Sequence, residues 1–301
     1  MLALVLALSS SLCWGCSDFI GGLQARRGAL WRVMLVSQSV GLTGLFVLIG
    51  IRGAGPPELS ALLPAAGAGL AGMAALTAFY RALAIGTMSI VAPISATGVA
   101  VPVIVGIAGG ERPAPLQLAG ILAASAGVVL ASREARTGSR DAGAQRASVV
   151  LALVAALGFG SFFVGLRVSA RSDVLWALLV SRSVGIAALL GAAVAWVAVL
   201  RARLAADGTP LPMSAPAGRS RAGDKLAPVP LVAIGILDLS ANGLYAIATR
   251  HGLLSVVAVA ASLYPLATVL LARTLLGERV RRIQELGIVA ALAGVVLIAA
   301  G

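Results

Sequence analysis

The chain has 301 residues, 59% of them hydrophobic and 11% charged, with a mean hydropathy of +1.01. A soluble domain is ~45–50% apolar and ~25% charged, so polar side chains are too few here to cover a water-soluble globule, and the chain is read as an integral membrane protein. The net charge of +12 would suggest nucleic acid if the basic residues shared one face, but they are scattered beside apolar runs, where Lys and Arg set topology; a nucleic-acid partner is excluded.

A helix needs ~20 mostly apolar residues to cross the hydrocarbon core. Ten such runs follow one another: 3–23, 31–51, 60–82, 87–109, 115–132, 148–167, 175–199, 229–249, 253–275 and 284–300. They are apolar all round and longer than the ~10-residue alternating strands of a barrel, so they are predicted as helices. The first run lacks the basic start of a signal peptide and is read as a retained span. Within it, Cys13 and Cys16 share a helix face, but no second Cys pair or His cluster accompanies them, and they are read as packing residues rather than a metal or redox site. Pro93 and Pro102 in span 4 and Pro265 in span 9 predict bent, cavity-facing helices, because a carbonyl freed by proline is tolerated in lipid only beside protein or water. Arg81, Arg273, Glu285 and His251 fall near span ends, where long or polar side chains reach the interface.

The sequence repeats itself. Residues 110–130, GERPAPLQLAGILAASAGVVL, and 277–297, GERVRRIQELGIVAALAGVVL, are identical at 13 of 21 positions. Upstream, LVSQSVGL at 35–42 faces LVSRSVGI at 179–186, and Leu12–Gly15 faces Leu157–Gly160. Two five-span halves are expected, 1–132 and 148–301, joined by a polar linker at 133–147. Five is odd, so the second half enters the membrane from the opposite side. Inverted repeats of this kind build many secondary transporters, with the substrate site near the midplane between them. In spans 5 and 10, Gly120, Ala124 and Gly127 match Gly287, Ala291 and Gly294, small residues at the spacing that lets helix backbones approach.

AFYRALAIGTMSIVAPISA at 78–96 followed by the first Gly-Glu-Arg element, and residues 255–297 with the second, resemble the EamA domain of the drug/metabolite transporter superfamily, over essentially the whole chain in two copies. The resemblance implies a ten-helix transporter whose central cavity is lined mainly by spans 1, 3, 4, 6, 8 and 9. It names no substrate. Arg182 matches an arginine often found in the family's second helix, whereas the first copy carries Gln38 there.

Ionisable groups well inside a span cost ~2.5–3.5 kcal/mol on insertion scales and mark functional candidates. Three are found: Asp18, Arg182 and Asp238. Arg182 aligns with Gln38 and Asp238 with Met73, so the second half carries opposite charges where the first carries none. That pattern predicts either an ion pair between spans 7 and 8, each charge making the other tolerable, or a substrate or proton site. Asp18 aligns with Phe163 and has no such counterpart; a lone carboxyl in low dielectric suits proton exchange, and small multidrug transporters of the same superfamily resemble it in carrying a carboxylate in their first helix. Trp14 lies one turn before Asp18. Asp238, Asn242 and Tyr245 fall at i, i+4 and i+7 on one helix face, matched in span 3 by Met73, Thr77 and Tyr80. With Thr97 on span 4 and Ser262 and Tyr264 on span 9, they are the candidate lining of a cavity for a small organic ligand.

Sixteen of the 23 Lys and Arg residues fall in connections 1–2, 3–4, 5–6, 7–8 and 9–10. The positive-inside rule puts those connections in the cytoplasm and both termini outside, whereas relatives are generally drawn with both termini inside; orientation stays open. The leading expectation is a multi-pass cell-membrane protein without cofactor, a secondary-active transporter exporting small metabolites or drug-like molecules by alternating access, with protons as the coupling ion. No GxxxxGK[ST] is present to hold ATP. The alternative is a membrane-embedded enzyme acting on a lipid or polyprenyl substrate, for which the metal cluster or Ser–His pair such chemistry needs cannot be assembled from one His and two separated Asp residues.

Overall fold

The computed structural model describes residues 1–27, 30–85, 91, 94–131, 142–206, 228–276 and 282–301. The expectations on Pro93, on residues 133–141 of the linker and on the second Gly-Glu-Arg at 277–279 lie outside these residues. Every regular element described is helical: α1 (Leu2–Arg27), α2 (Leu30–Arg52), α3 (Leu59–Ile85), a 3-10 turn (Thr97–Val99) leading into α4 (Ala100–Ala108), α5 (Pro115–Ala131), α6 (Ala142–Ala170), α7 (Val174–Ala206), α8 (Pro228–His251), α9 (Leu254–Ala261), α10 (Tyr264–Leu276) and α11 (Arg282–Ala300). Six of them (α1, α2, α3, α6, α7 and α8) are long and apolar enough to cross a membrane, and shorter apolar helices occupy 94–108, 115–127, 254–267 and 285–300. Large apolar side chains such as Leu122, Val194, Trp196 and Val289 stand exposed on the outside of the bundle. A surface this apolar is stable against lipid, not water; the chain is an all-helical, multi-pass membrane protein.

Two boundaries differ from the sequence expectation. The linker ends early, because Ala142–Ala147 (AGAQRA) already form the first turns of α6; Ala, Gln and Arg are strong helix formers. α7 continues to Ala206, beyond the apolar run that ends near 199.

Spans 4 and 9 are both interrupted. In span 4 the 3-10 turn at Thr97–Val99 precedes α4, with Pro102 in its first turn. In span 9, α9 stops at Ala261, and Ser262 and Leu263 make a turn before α10 begins at Tyr264. Pro265 is the second residue of α10, where its missing N–H is one that the helix start leaves unpartnered in any case. All eight residues of α9 are buried.

Packing follows the small residues. α5 lies against α11: a Cβ on Gly120 would come within 2.6 Å of the Gly294 carbonyl oxygen, and one on Gly127 within 2.6 Å of the Gly287 carbonyl oxygen, while Ala124 and Ala291 are fully buried. α1 packs along α8 and α3 along α6, with further contacts of α3 on α7 and of α2 on α8. Gly165 and Gly158 meet the Pro64 and Ala71 carbonyls across α3–α6, and Gly235 meets Ser37 across α2–α8.

One end of the bundle is drawn together. Ala3, at the start of α1, meets Gly252 between α8 and α9; Gly301, after α11, meets Leu116 and Gln117 at the start of α5. Asp173, before α7, pairs with Arg52 at 2.7 Å and accepts the Trp176 N–H as an N-cap, while the Trp176 indole donates to the Ala54 carbonyl. Both chain ends therefore lie at this face. The main apolar core runs from it into the bundle, whereas two smaller clusters lie apart: Val33, Leu231 and Ile234 in one, Ala82, Val91 and Ala152 in the other.

Candidate functional site

A cavity of about 150 Å³ lies inside the bundle, enough for a ring of benzene size. Its wall takes Trp14 and Asp18 from α1, Met73 and Phe79 from α3, Phe159 and Phe163 from α6, Arg182 from α7, and Asp238 and Asn242 from α8. Ser262 and Tyr264 reach it from the break in span 9, and Gly98 and Val99 from the 3-10 turn of span 4. The interrupted helices thus point their irregular backbone at the cavity, the position where lipid-buried chain tolerates it.

Arg182 and Asp238 meet. An Arg182 Nη donates to Asp238 Oδ2 at 2.5 Å, and the other Nη donates to Gln38 Oε1 at 3.0 Å. Asn242, one turn on from Asp238, donates its amide to Asp238 Oδ1 at 3.2 Å and to the Asp238 backbone carbonyl at 2.7 Å. Arg182's side chain is 6% exposed and Asp238's 22%. Gly41 makes the room, since a Cβ there would stand 2.8 Å from the guanidinium carbon. The opposite charges of spans 7 and 8 are therefore an ion pair inside the bundle, with an amide at each end taking up remaining donors and acceptors.

Asp18 also faces the cavity, and among the described residues no hydrogen bond ends on its carboxylate. Around it the aromatic side chains concentrate. Trp14 packs against Phe163 at 5.4 Å, Tyr245 at 6.0 Å and Tyr264 at 6.4 Å between ring centroids, and Phe79 stands between Tyr80 and Phe159. With Phe162, six of the chain's 13 aromatic residues line this one space, and Tyr80 and Tyr245 pack behind them. Such walls, broken by a few polar groups, suit small organic molecules.

Of the residues singled out in the sequence, Trp14, Asp18, Arg182, Asp238, Asn242, Ser262 and Tyr264 line the cavity. Four do not. Tyr245 is fully buried behind the wall, its ring 4.7 Å from Phe163 and its hydroxyl donating to the Phe163 carbonyl at 3.3 Å. Tyr80 packs on Phe79 with its hydroxyl toward Gly21. Thr77 turns its hydroxyl back to the Met73 carbonyl, and Thr97, exposed, donates to that of Ile94. Helical spacing selects a face but not a depth: Asn242, at i+4 from Asp238, lines the cavity, whereas Tyr245, at i+7, falls behind the wall.

Sequence reasoning also missed lining residues. Gln38 and Phe163 are uncharged or apolar and enter the sequence reading only as alignment partners of Arg182 and Asp18; both line the cavity with those partners, as does Met73, which shares the expected span 3 face with Thr77 and Tyr80. Alignment partnership was the signal that would have found them. Spans 2 and 7 likewise contribute to the wall, beyond the six spans implied by resemblance. Cys13 and Cys16 are free thiols, and among the described residues no group of three or more His, Cys, Asp or Glu side chains is placed to hold a metal ion.

The EamA-like transporter family matches residues 146–300, from the start of α6 to the end of α11. The chain belongs to this family. EamA-like proteins are membrane transporters, which fits the internal cavity. No curated protein sequence matches the chain. A solved structure described as "Crystal structure of protein" is similar over 98% of this chain and 95% of its own, with a TM-score of 0.69 at 16% identity; at that identity the likeness shows the fold alone.

The first Gly-Glu-Arg element, at 110–112, has a defined place. Gly110, at φ +90°, closes α4: its N–H reaches the Ile107 carbonyl, and the Glu111 N–H reaches that of Gly106. This is the glycine-dependent helix stop that uses a left-handed residue, and it aims Glu111 across the bundle. Burial alone would raise the Glu111 pKa, but hydrogen bonds from the Ser255 and Leu254 N–H groups, Arg167 and the Ser255 hydroxyl outweigh it and hold the carboxyl below its ordinary value.

Proposed function

We propose that this EamA-like protein is a secondary-active exporter of small metabolites or drug-like molecules, working by alternating access in the cell membrane and coupled to protons through Asp18. In this reading the ten spans form two inverted five-span halves, 1–132 and 148–301, and the solute pathway runs between them. One observation carries it: the aligned pairs Asp18/Phe163, Gln38/Arg182 and Met73/Asp238, far apart in sequence, all face a single central cavity, as a two-fold axis through the substrate site requires. The helix pairing agrees, because exchanging the halves turns α1–α8 into α6–α3 and returns α5–α11 to itself. Export is supported by the charge pattern. The end holding the termini is drawn together, and in the ten-span reading the connections that carry sixteen of the 23 Lys and Arg residues belong to the opposite side, so a solute entering there comes from the cytoplasm under the positive-inside rule.

The test uses proteoliposomes containing a trapped pH-sensitive dye, challenged with a panel of small aromatic amines, amino acids and neutral aromatics. The wild type should move at least one solute with an opposed proton flux and no chemical product, whereas Asp18→Asn should keep solute exchange and lose the pH-driven component. Unchanged proton dependence in Asp18→Asn removes that carboxyl from the mechanism. Product formation without flux would favour the membrane enzyme instead.

A further inference from the structure

Glu111 lies outside the cavity, yet it is the most heavily used carboxylate among the described residues. Oε1 accepts from an Arg167 Nη at 2.5 Å and from the Leu254 N–H at 2.6 Å; Oε2 accepts from the Ser255 N–H at 3.0 Å and the Ser255 hydroxyl at 2.9 Å. The side chain is 8% exposed and Arg167's 16%. Leu254 and Ser255 are the first two residues of α9, whose own N-cap, Leu253, supplies no side-chain hydrogen bond. The orphan N–H groups of a helix start need an acceptor, and the one present comes from 143 residues away in sequence.

The arrangement joins three elements: the end of span 4, the last turns of α6, and the outer end of α9. Glu111 belongs to the first half of the chain, Arg167 and α9 to the second. Two further polar contacts at this face also join the halves, Arg52 with Asp173 and Trp176 with the Ala54 carbonyl. α9 itself is a buried rod of eight residues, ~12 Å long at 1.5 Å per residue. Its inner end is followed by Ser262 and Tyr264, which line the cavity. One end of the rod is thus clasped by Glu111 while the other touches the solute space.

We propose that Glu111 is the latch of the terminal-side gate: the carboxylate clasps the outer end of α9 and Arg167, and its release lets α9 move away from span 4 and opens the cavity toward the face that holds both termini. The latch rests on the transporter reading, but it is a statement about access to the cavity and is read without any substrate. Gly106 is part of the device. A Cβ there would come 2.9 Å from the Glu111 carboxyl carbon, so only glycine leaves the carboxylate its seat. The first Gly-Glu-Arg element supplies both the stop that aims the latch and the latch itself.

The experiment places one thiol in the cavity wall, Leu178→Cys, in a Cys13→Ala, Cys16→Ala background. Membrane-impermeant maleimide is applied to oriented vesicles from either face. With the latch intact, labelling from the terminal side should be slow. Glu111→Ala should raise it by about tenfold or more and lower labelling from the opposite side, as a shift between two states demands. Gly106→Ala, which displaces the carboxylate while leaving Glu111 in the sequence, should give the same shift and keeps the test alive if Glu111→Ala does not fold. Unchanged terminal-side labelling in a folded variant overturns the proposal, and so does an equal rise from both faces, which reports general loosening. The expected shift in a protein that moves no solute in proteoliposomes would leave the latch standing and remove the transporter reading instead.

Discussion

Removing either member of the Arg182–Asp238 pair should destabilise the bundle, and by unequal amounts. Breaking a buried pair from one side costs ~3–5 kcal/mol because it strands the other charge. Asp238→Leu strands a guanidinium that is 6% exposed and keeps only Gln38 as acceptor, so its cost belongs near the upper end, about 5 kcal/mol. Arg182→Leu strands a carboxylate that is 22% exposed, faces the cavity and still accepts from the Asn242 amide; its cost belongs near about 3 kcal/mol. The double variant leaves no charge stranded and should return to within about 1 kcal/mol of the wild type, since well-packed apolar replacements of such pairs are often neutral. Reversible unfolding in mixed detergent micelles gives the three differences, and transport kinetics give a fourth reading. Because both residues line the cavity, the double variant should fold and yet show an altered KM. Costs that add in the double variant, or a larger loss for Arg182→Leu than for Asp238→Leu, would refute the electrostatic account.

Gly127→Val places side-chain carbon on the Ala291 and Gly287 backbone, so α5 and α11 must separate; a loss of about 3 kcal/mol is expected, measured by the same unfolding assay, and a loss under 1 kcal/mol would mean the helices are not in backbone contact. Glu111 makes stability depend on acid. Its folded pKa lies below the ordinary 4.5, so the stability it adds is fully present above pH 4.5 and is lost as the pH falls through the lower folded value. The Tm difference between wild type and Glu111→Gln should therefore hold steady at neutral pH and shrink only below about pH 4.5; a difference that vanishes near pH 6 would contradict the clasp.

The helical class and the spans were legible because hydrocarbon leaves the backbone few choices: each run must satisfy its own N–H and C=O groups, and length alone then marks it. The glycine stripes of spans 5 and 10 were legible for a similar reason, since only small side chains allow that approach. The breaks at Pro102 and Pro265 could be anticipated as bends, but the turn at Ser262–Leu263 could not be placed, because proline marks where a helix restarts rather than where the previous one stops. Depth was not legible at all. Tyr245 and Asn242 share a stripe, yet one is sealed behind Phe163 and the other faces the cavity, a difference set by α6, whose Phe159, Phe162 and Phe163 a periodicity argument reads as ordinary apolar filler. Glu111 was visible only as part of a repeated word. Its partners lie 56 to 144 residues away, and nothing local announces them.

In the repeat reading, the asymmetry between halves follows from Coulomb's law. Residues that an axis through the cavity exchanges are near each other when they are near the axis, and Gln38 and Arg182 are in direct contact at 3.0 Å. Had duplication kept arginine at both positions, two guanidinium groups would face each other at that distance. Even at an effective dielectric of 20 their repulsion is about 5–6 kcal/mol, comparable to the whole stability of an ordinary domain. One copy must therefore give up its charge, and a neutral acceptor such as Gln38 is the replacement that also binds the charge retained. The constraint acts where exchanged positions touch, as Gln38 and Arg182 do. It makes a directional prediction: Gln38→Arg should abolish folding or displace Arg182 from Asp238, whereas Gln38→Glu should be tolerated, because a carboxylate at 38 meets the same guanidinium. Gln38→Glu keeps the native size whereas Gln38→Arg enlarges the side chain, so Gln38→Met, long and uncharged, serves as the steric control in the unfolding assay; a loss for Gln38→Met equal to that for Gln38→Arg would mean that packing, not charge, forbids symmetry at the centre of this bundle.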